Sequence, residues 1–226
     1  MKKESFTHSH SSINMYEQCP RQFESRYVIK EKKEPQSEQQ KWGDLVHTAM
    51  EDRVRGTLAT PLPEGMENFE RVLEVVRVAK GAGLTVLAEQ KIAVSRDGTP
   101  VDFWSKYAWV RGKVDLSILG RTLGDLSDYK TGKWKSDKEQ MRLTAWMAFD
   151  YWPALQWIKT RYHWLNGGDQ NQETHTRETI APVGVDIKRR IIRIEDALAS
   201  GHFEPKPNGL CKAHCGVLSC TFNGRS

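Results

Sequence analysis

Long apolar segments are missing from this 226-residue sequence. It has no run of eighteen apolar residues, which argues against a membrane-spanning helix. No apolar segment follows the two lysines after Met1. We therefore expect no secretory signal, and we expect the protein to be cytoplasmic. Internal repeats and low-complexity segments are also missing. Eight Trp, seven Phe and six Tyr residues nevertheless provide enough apolar volume for a folded core.

Acidic residues are slightly outnumbered, with 34 Lys and Arg against 29 Asp and Glu and a net charge of +5. A basic balance suits a partner that carries phosphates, although net charge alone does not identify one. The chain length predicts a single α/β or α+β domain over residues 1–226, with a cysteine-containing tail at 201–226.

Cysteine is scarce and unevenly placed. Cys19 lies near the start, and the other three lie in the tail, at Cys211, Cys215 and Cys220. An even number permits disulfides, but nothing else in the sequence indicates secretion. Four thiolates, or three of them with His214, suit Zn²⁺. Free thiols, or disulfides formed on isolation, are another interpretation.

Hydrophobic periodicity predicts helices around a small sheet. The predicted helices span 11–29 (interrupted at Pro20), 42–55, 66–80, 137–151 and 183–200. The predicted strands span 84–94, 103–110, 112–119, 125–130, 155–165 and 174–180. Ser11 or Ser12 is the expected cap of the first helix, and Ser136 with Glu139 fits a capping box before the fourth.

Two neighbouring strands carry the most informative polar residues. Asp128 and Lys130 are two positions apart and so point to one face of a strand, while Tyr129 points to the other. If the turn centres on residues 121 and 122, Asp115 lies opposite Asp128, with Cβ atoms about 4.5–5.5 Å apart. Two carboxylates this close repel unless a proton or a cation such as Mg²⁺ or Mn²⁺ lies between them. A solvent-facing hairpin with a chance Asp-x-Lys tripeptide is the alternative.

These residues resemble motifs of the PD-(D/E)xK nuclease superfamily, and of its RecB-type branch in particular, which includes CRISPR-associated RecB-like exonucleases. The similar segments are spread over the chain, at residues 9–23, 43–47, 112–115 and 128–132. The resemblance implies an α/β fold with a restriction-endonuclease-like core, in which helices flank a central mixed sheet. It also implies that the cysteine site joins the N- and C-terminal segments.

The resemblance further implies roles for individual residues. Metal ligands would be His47, Asp115, Asp128 and the backbone carbonyl of Tyr129. Lys130 would be the catalytic lysine, acting with Asp115, Asp128 and an acidic residue of the preceding strand, Glu89. The cofactors would be Mg²⁺ or Mn²⁺ and a 4Fe-4S cluster held by Cys19, Cys211, Cys215 and Cys220, with Zn²⁺ as the alternative. The Cys-x3-Cys-x4-Cys spacing differs from the usual Cys-x2-Cys-x5-Cys.

Several residues are candidates for DNA contact. Gln140 resembles the first residue of the branch's Gln-x-x-x-Tyr motif, which contacts DNA or orders the site, but Thr144 stands where Tyr is usual. Lys133, Trp134 and Lys135 form a basic loop with an aromatic residue, suited to a phosphate backbone and a stacked base. A solvated lysine loop is the alternative interpretation.

The sequence therefore predicts a metal-dependent deoxyribonuclease that does not bind membranes. By resemblance, an exonuclease on single-stranded DNA or DNA ends is expected, in recombination, repair or CRISPR adaptation, with proteins of those processes as partners. The main alternative is a DNA-end-binding or adaptor subunit that does not hydrolyse DNA. A cysteine-stapled metal protein without a nucleic-acid role is the third hypothesis.

Overall fold

The computed structural model describes residues 6–31, 35–56, 61–167 and 171–224 of the chain. They divide into two compact units. The sheet unit comprises Gln36–Val185 together with the residues up to Thr7, and the cysteine unit comprises His8–Pro35 and Asp186–Ser226. Within the described parts, no helix is both long and apolar enough to cross a membrane.

The sheet unit contains a mixed sheet of five strands, which lie side by side in chain order. The strands are β1 (Thr85–Val94), β2 (Val110–Leu119), β3 (Leu123–Lys130), β4 (Trp157–Trp164) and β5 (Gln172–His175). β1, β2 and β3 form an antiparallel meander, β4 is parallel to β3, and β5 is antiparallel to β4. The parallel pair requires a crossover connection, and the helix α5 (Glu139–Tyr151) provides it.

Two helices precede the sheet in the chain, α3 (Glu38–Arg55) and α4 (Glu70–Gly81). Ser37 caps α3: its hydroxyl accepts from the Gln40 backbone N–H, and the Gln40 side chain accepts from the Ser37 N–H. The buried apolar residues of both helices form one cluster with side chains of the sheet, namely Leu116, Ile118 and Tyr129. This packing fixes α3 against the sheet and so positions its polar residue His47 beside the middle of β1 and β2.

The structure confirms the predicted β1, β2 and β3 but contradicts two other predicted strands. Residues 103–109 form turns, and β2 begins only at Val110. The strand predicted over 174–180 ends at His175, and the last helix, α6 (Arg177–Ser200), begins before Pro182 instead of after it. Thr176 and Thr179 cap this helix reciprocally, each accepting from the other's backbone N–H. This local start signal prevails although Pro182 removes one helical hydrogen bond.

Two predicted caps are also wrong. The first helix, α1 (His10–Gln18), is capped by Ser9, whose hydroxyl accepts from the Ser12 N–H at 3.2 Å. The expected capping box before α5 does not form, because the helix starts at Glu139 itself, and Asp137 accepts from the Glu139 N–H at 2.8 Å. In both cases several adjacent residues have capping side chains, and sequence alone does not rank them.

The cysteine unit contains α1, the short helix α2 (Pro20–Phe23), a π-helical turn at Glu24–Ile29 and the part of α6 from Asp186 onward. Pro20 begins α2, as the sequence predicted. Glu17 of α1 binds Arg190 of α6 through two hydrogen bonds of 2.7 and 2.6 Å, and this bidentate pair ties the N-terminal segment to the final helix.

Candidate active site

Three ligand-type side chains from α3, β1 and β2 converge at one point. His47 Nδ1 lies 3.6 Å from Glu89 Oε1 and 3.4 Å from Asp115 Oδ1. The ligand atoms of these three side chains all lie within 4.8 Å of one another. The described residues contain no other such group of three or more His, Cys, Asp or Glu side chains. The carboxylates are 8% exposed and the imidazole 34%, so the cluster opens to solvent on the histidine side.

Glu89 has an unusual backbone conformation for a strand residue. Its φ angle is 53°, in the left-handed region, which costs a non-glycine residue about 1–3 kcal/mol. The ladder between β1 and β2 keeps its register on either side, with Ala88 opposite Leu116 and Gln90 opposite Val114. Glu89 therefore lies opposite Asp115 in a strained conformation, and strain of this kind is typical of functional sites.

The charges of the three groups are strongly coupled. The carboxylates of Asp115 and then Glu89 raise the pKa of His47 to about 10, against the effect of burial. Burial pushes the pKa of Glu89 up, but contacts with His47 and Lys113 hold it below its usual value. At neutral pH the protonated imidazole thus balances the two carboxylates. A divalent cation binding here would have to displace that proton.

The donor set fits a divalent metal ion. One imidazole nitrogen with carboxylate oxygens suits Mn²⁺, and the carboxylates also suit Mg²⁺. In an octahedral site with bonds of about 2.0–2.1 Å, neighbouring ligand atoms lie about 3 Å apart. The separations of 3.4 and 3.6 Å between His47 and the two carboxylates are close to this value.

A second polar cluster lies beside the first and contains the Asp-x-Lys pair. Lys130 Nζ is 2.8 Å from Asp128 Oδ2, and Gln140 of α5 joins the two side chains. The Gln140 amide nitrogen donates to Asp128 Oδ1 at 2.5 Å, and its oxygen accepts from Lys130 Nζ at 2.8 Å. Gln140 thereby holds the lysine and the aspartate in one arrangement.

The two clusters are linked through Asp115. The β2–β3 ladder pairs Leu116 with Ser127, which places Asp115 beside Asp128 in the predicted register. Asp115 Oδ2 accepts from the backbone N–H of Tyr129 at 2.7 Å. Burial, and then the Asp115 charge, raise the pKa of Asp128 to about 6, while Lys130 opposes the rise. The carboxylate pair is therefore close enough to interact strongly.

The arrangement differs in one respect from the ligand set that the resemblance implied. Glu89 belongs to the three-ligand group, whereas Asp128 is bound to Lys130 and Gln140. The Tyr129 side chain points into the hydrophobic cluster, where its ring lies 5.3 Å from that of Phe69. The same ring also lies 5.9 Å from that of His47, so the Tyr129 side chain borders the polar site without offering it a ligand.

Thr144 faces its own helix. It is buried, and its hydroxyl donates to the Gln140 backbone carbonyl at 2.9 Å. The aromatic ring near the lysine comes instead from β4, where the ring of Tyr162 lies 4.9 Å from Lys130 Nζ.

Sequence reasoning did not single out two residues that touch the site, Tyr162 and Lys113. Lys113 forms an ion pair with Glu89. Its position two residues before Asp115, on the same face of an alternating strand, was an available signal for it. Tyr162 had no comparable signal, because only the pairing of β3 with β4 brings it to Lys130.

The basic loop after β3 is attached to a neighbouring segment. Trp134 Nε1 donates to Asn171 Oδ1 at 2.9 Å, and the Asn171 amide donates to the Lys135 carbonyl. Half of the Trp134 surface remains exposed, and the side chains of Lys133 and Lys135 face solvent. The loop thus combines a fixed aromatic ring with two solvated charges beside Lys130.

A sequence profile of the family described as the PD-(D/E)XK nuclease superfamily matches residues 7–220. The comparison with curated proteins gives no match. Among solved structures, one titled "Crystal structure of SSO0001" is similar to this chain at 13% sequence identity and a TM-score of 0.43. The match covers 99% of this chain and 90% of that one. The family assignment follows from the profile match alone, because the structural similarity is weak.

Proposed function

This chain belongs to the PD-(D/E)XK nuclease superfamily, and from that premise we propose that it hydrolyses phosphodiester bonds in DNA with Mg²⁺ or Mn²⁺. The observation that carries the proposal is the convergence of His47, Glu89 and Asp115 on one point beside Lys130. The mixed five-stranded sheet with flanking helices is consistent with the restriction-endonuclease-like fold of this superfamily.

Each polar residue has a distinct part in the proposed reaction. His47, Glu89 and Asp115 would hold the metal ion, with Asp128 next to them. When bound, the ion supplies a Lewis acid for the phosphate and an acidified water. The Lys130 ammonium donates hydrogen bonds to the attacking water or to the phosphate oxygens, where negative charge develops. Asp128 and Gln140 hold Lys130 in place, and the face of Tyr162 stabilises its charge.

Finer assignments rest on sequence motifs. We place the chain in the RecB-type branch and propose an exonuclease that acts on single strands or DNA ends in the cytoplasm. The segments 9–23 and 43–47 support this placement, and Gln140 supports it through its contacts with the catalytic pair. Proteins of recombination, repair or CRISPR adaptation are the proposed partners.

The function is tested by cleavage of single-stranded oligonucleotides labelled at either end. We expect wild-type protein to cut only when Mn²⁺ or Mg²⁺ is present. The Asp115→Asn variant should need about 10–100 times more Mn²⁺ for the same rate, because it loses one ligand charge. Asp186→Asn, at an exposed aspartate of α6, is the matched control and should behave as wild type.

Three results would contradict this assignment. Metal-independent cleavage would exclude the proposed metal site. Tight DNA binding without any cleavage in Mn²⁺ would favour the alternative, a DNA-end-binding subunit that does not hydrolyse its ligand. If the protein binds no DNA at low salt, the chain has no nucleic-acid role.

We also propose that the four cysteines hold a 4Fe-4S cluster that joins the N- and C-terminal segments of the cysteine unit, and that residues 1–226 act as one functional domain. Cys19 and Cys211 each accept a backbone N–H, from Lys206 at 3.4 Å and from Asn208 at 3.3 Å. Such N–H contacts stabilise thiolates. All four cysteines are described, half-exposed and unpaired.

The sequence resemblance favours a cluster over zinc. One N-terminal cysteine and three in the tail resemble the iron–sulfur arrangement of the RecB-type branch. Soft thiolates suit both metals, so this preference rests on the resemblance.

Metal analysis after anaerobic purification tests the cysteine site. We expect about four iron and four sulfide per chain, and a large loss of both in the Cys211→Ser variant. Ser219→Ala, at a non-ligand position of the same tail, is the control. About one zinc per chain and no iron would establish the zinc alternative.

A further inference from the structure

The loop between β1 and β2 presents two aromatic side chains to solvent. Trp104 is 69% exposed and Tyr107 is 67% exposed, the highest values among the large hydrophobic residues described. Both belong to the segment in which the aromatic composition predicted a strand, and the turns there direct the rings outward. Clustered exposed aromatic residues of this kind are typical of surfaces that bind another molecule.

Hydrogen bonds hold this loop in a defined conformation. Asp102 Oδ1 accepts from the Trp104 N–H at 2.8 Å, and Ser105 Oγ accepts from the Tyr107 N–H at 3.1 Å. Arg111 of β2 donates to the Phe103 carbonyl at 3.3 Å. Because the loop is already ordered, the protein loses less conformational entropy when a ligand binds to its rings.

Cationic side chains surround the exposed rings. Lys91 Nζ lies 5.7 Å from the ring centroid of Trp104, and the Arg111 guanidinium lies 4.8 Å from it. Lys106 is 5.1 Å from the Tyr107 ring. Exposed aromatic faces beside positive charge are the combination that binds single-stranded nucleic acid, where rings stack on bases and cations contact phosphates.

The same cations connect the loop to the candidate active site. Lys91 of β1 lies directly opposite Lys113 of β2, and Lys113 is paired with Glu89 of the three-ligand group. Lys91 is two residues from Glu89, which is about 7 Å along a strand. Like charges directly opposite each other are unfavourable, and an anionic backbone passing between them would relieve the repulsion.

We propose that residues 102–107 form a stacking platform for an unpaired base of the substrate strand, a few nucleotides from the cleaved phosphate. Arg111, Lys91 and Lys113 contact the sugar–phosphate backbone between the platform and the metal site. This inference rests on the proposed nuclease function and specifies its substrate as a single strand or a frayed end. In an intact duplex the base faces are stacked on one another and are closed to Trp104.

Binding measurements in the Lys130→Met background, which is designed to prevent cleavage, test the platform. The ligands are a 15-nucleotide oligothymidylate and a blunt duplex of the same length. Trp104→Ala should weaken binding of the single strand about 5- to 100-fold, whereas Trp104→Phe should keep most of the affinity. Trp157→Ala removes an exposed ring of β4 and is the matched control, for which no change is expected.

Salt dependence provides a second measurement. Lys91→Gln should make the plot of log affinity against log salt less steep for the single strand. The change should be about that expected for the loss of one phosphate contact. Blunt-duplex binding should change less than about twofold in Trp104→Ala, since stacking on an unpaired base is the contact removed. An equal loss on both ligands would overturn the platform.

The outcomes also separate this inference from the nuclease proposal. If wild-type protein cuts DNA and Trp104→Ala binds single strands as tightly as wild type, the platform is wrong and the nuclease assignment stands. If wild-type protein never cuts but Trp104→Ala loses single-strand affinity, the platform stands and the nuclease assignment is wrong. Circular dichroism spectra of each variant check that the protein is folded.

Discussion

Replacing Lys130 with methionine should slow DNA cleavage by about 10²–10³-fold, because the proposed reaction then loses the ammonium that donates to the water or the phosphate oxygens. Methionine has a similar length and packs well in irregular surroundings, so the fold should survive. Lys130 lies next to the three-ligand group without belonging to it. Mn²⁺ should therefore still bind. Single-turnover cleavage rates and Mn²⁺ titration calorimetry measure the two properties separately.

Lys188→Met, at an exposed lysine of α6, is the control for the loss of one positive charge. It should cleave at the wild-type rate. A Lys130→Met protein that cleaves at the wild-type rate would contradict the catalytic role of this lysine. Loss of Mn²⁺ binding in the same variant would instead show that Lys130 is needed to form the metal site.

A loss of stability in acid is expected from His163 of β4. Burial, and then the charges of Arg161 and Arg71, lower its pKa to about 4. In the unfolded chain the pKa is about 6.5. Protonation below pH 6.5 therefore favours the unfolded chain. The contribution of neutral His163 to the free energy of unfolding is lost as the pH falls from about 6.5 to about 4. At pH 4.5 the loss amounts to about 2–3 kcal/mol.

Between pH 7 and pH 4.5, the free energy of unfolding should fall less in the His163→Gln variant than in wild type. The difference between the two decreases should be about 2–3 kcal/mol. Glutamine cannot be protonated in this range, and its amide can replace the contact of His163 Nε2 with Ser127 Oγ, which is 3.1 Å long. Urea unfolding at both pH values, with EDTA present, measures the difference. His202→Gln, at an exposed histidine, is the control. Equal acid sensitivity of His163→Gln and wild type would contradict the prediction.

Strands with regular alternation were predictable because their pattern depends on neighbouring residues only. The bounds of β1, β2 and β3 agree with the sequence prediction to within two residues, and the turn at 121 and 122 gave the correct register for Asp115 and Asp128. Segments without a clear period were harder to predict. Residues 103–109 have the aromatic composition of a strand, but the turns at Asp102 and Ser105 prevent this segment from pairing with the sheet.

By itself, the sequence predicted the strands of the meander, the two carboxylates with their lysine and the family resemblance, because these depend on local patterns and motif spacing. The mixed sheet with flanking helices followed from that resemblance. Only the tertiary structure decided that Glu89 joins His47 and Asp115, that Gln140 holds Asp128 and Lys130, and that Tyr162 lies under the lysine. The reason is physical. Each of these contacts joins separate elements, and its geometry depends on how α3, α5 and β4 pack against the sheet, which no local pattern specifies.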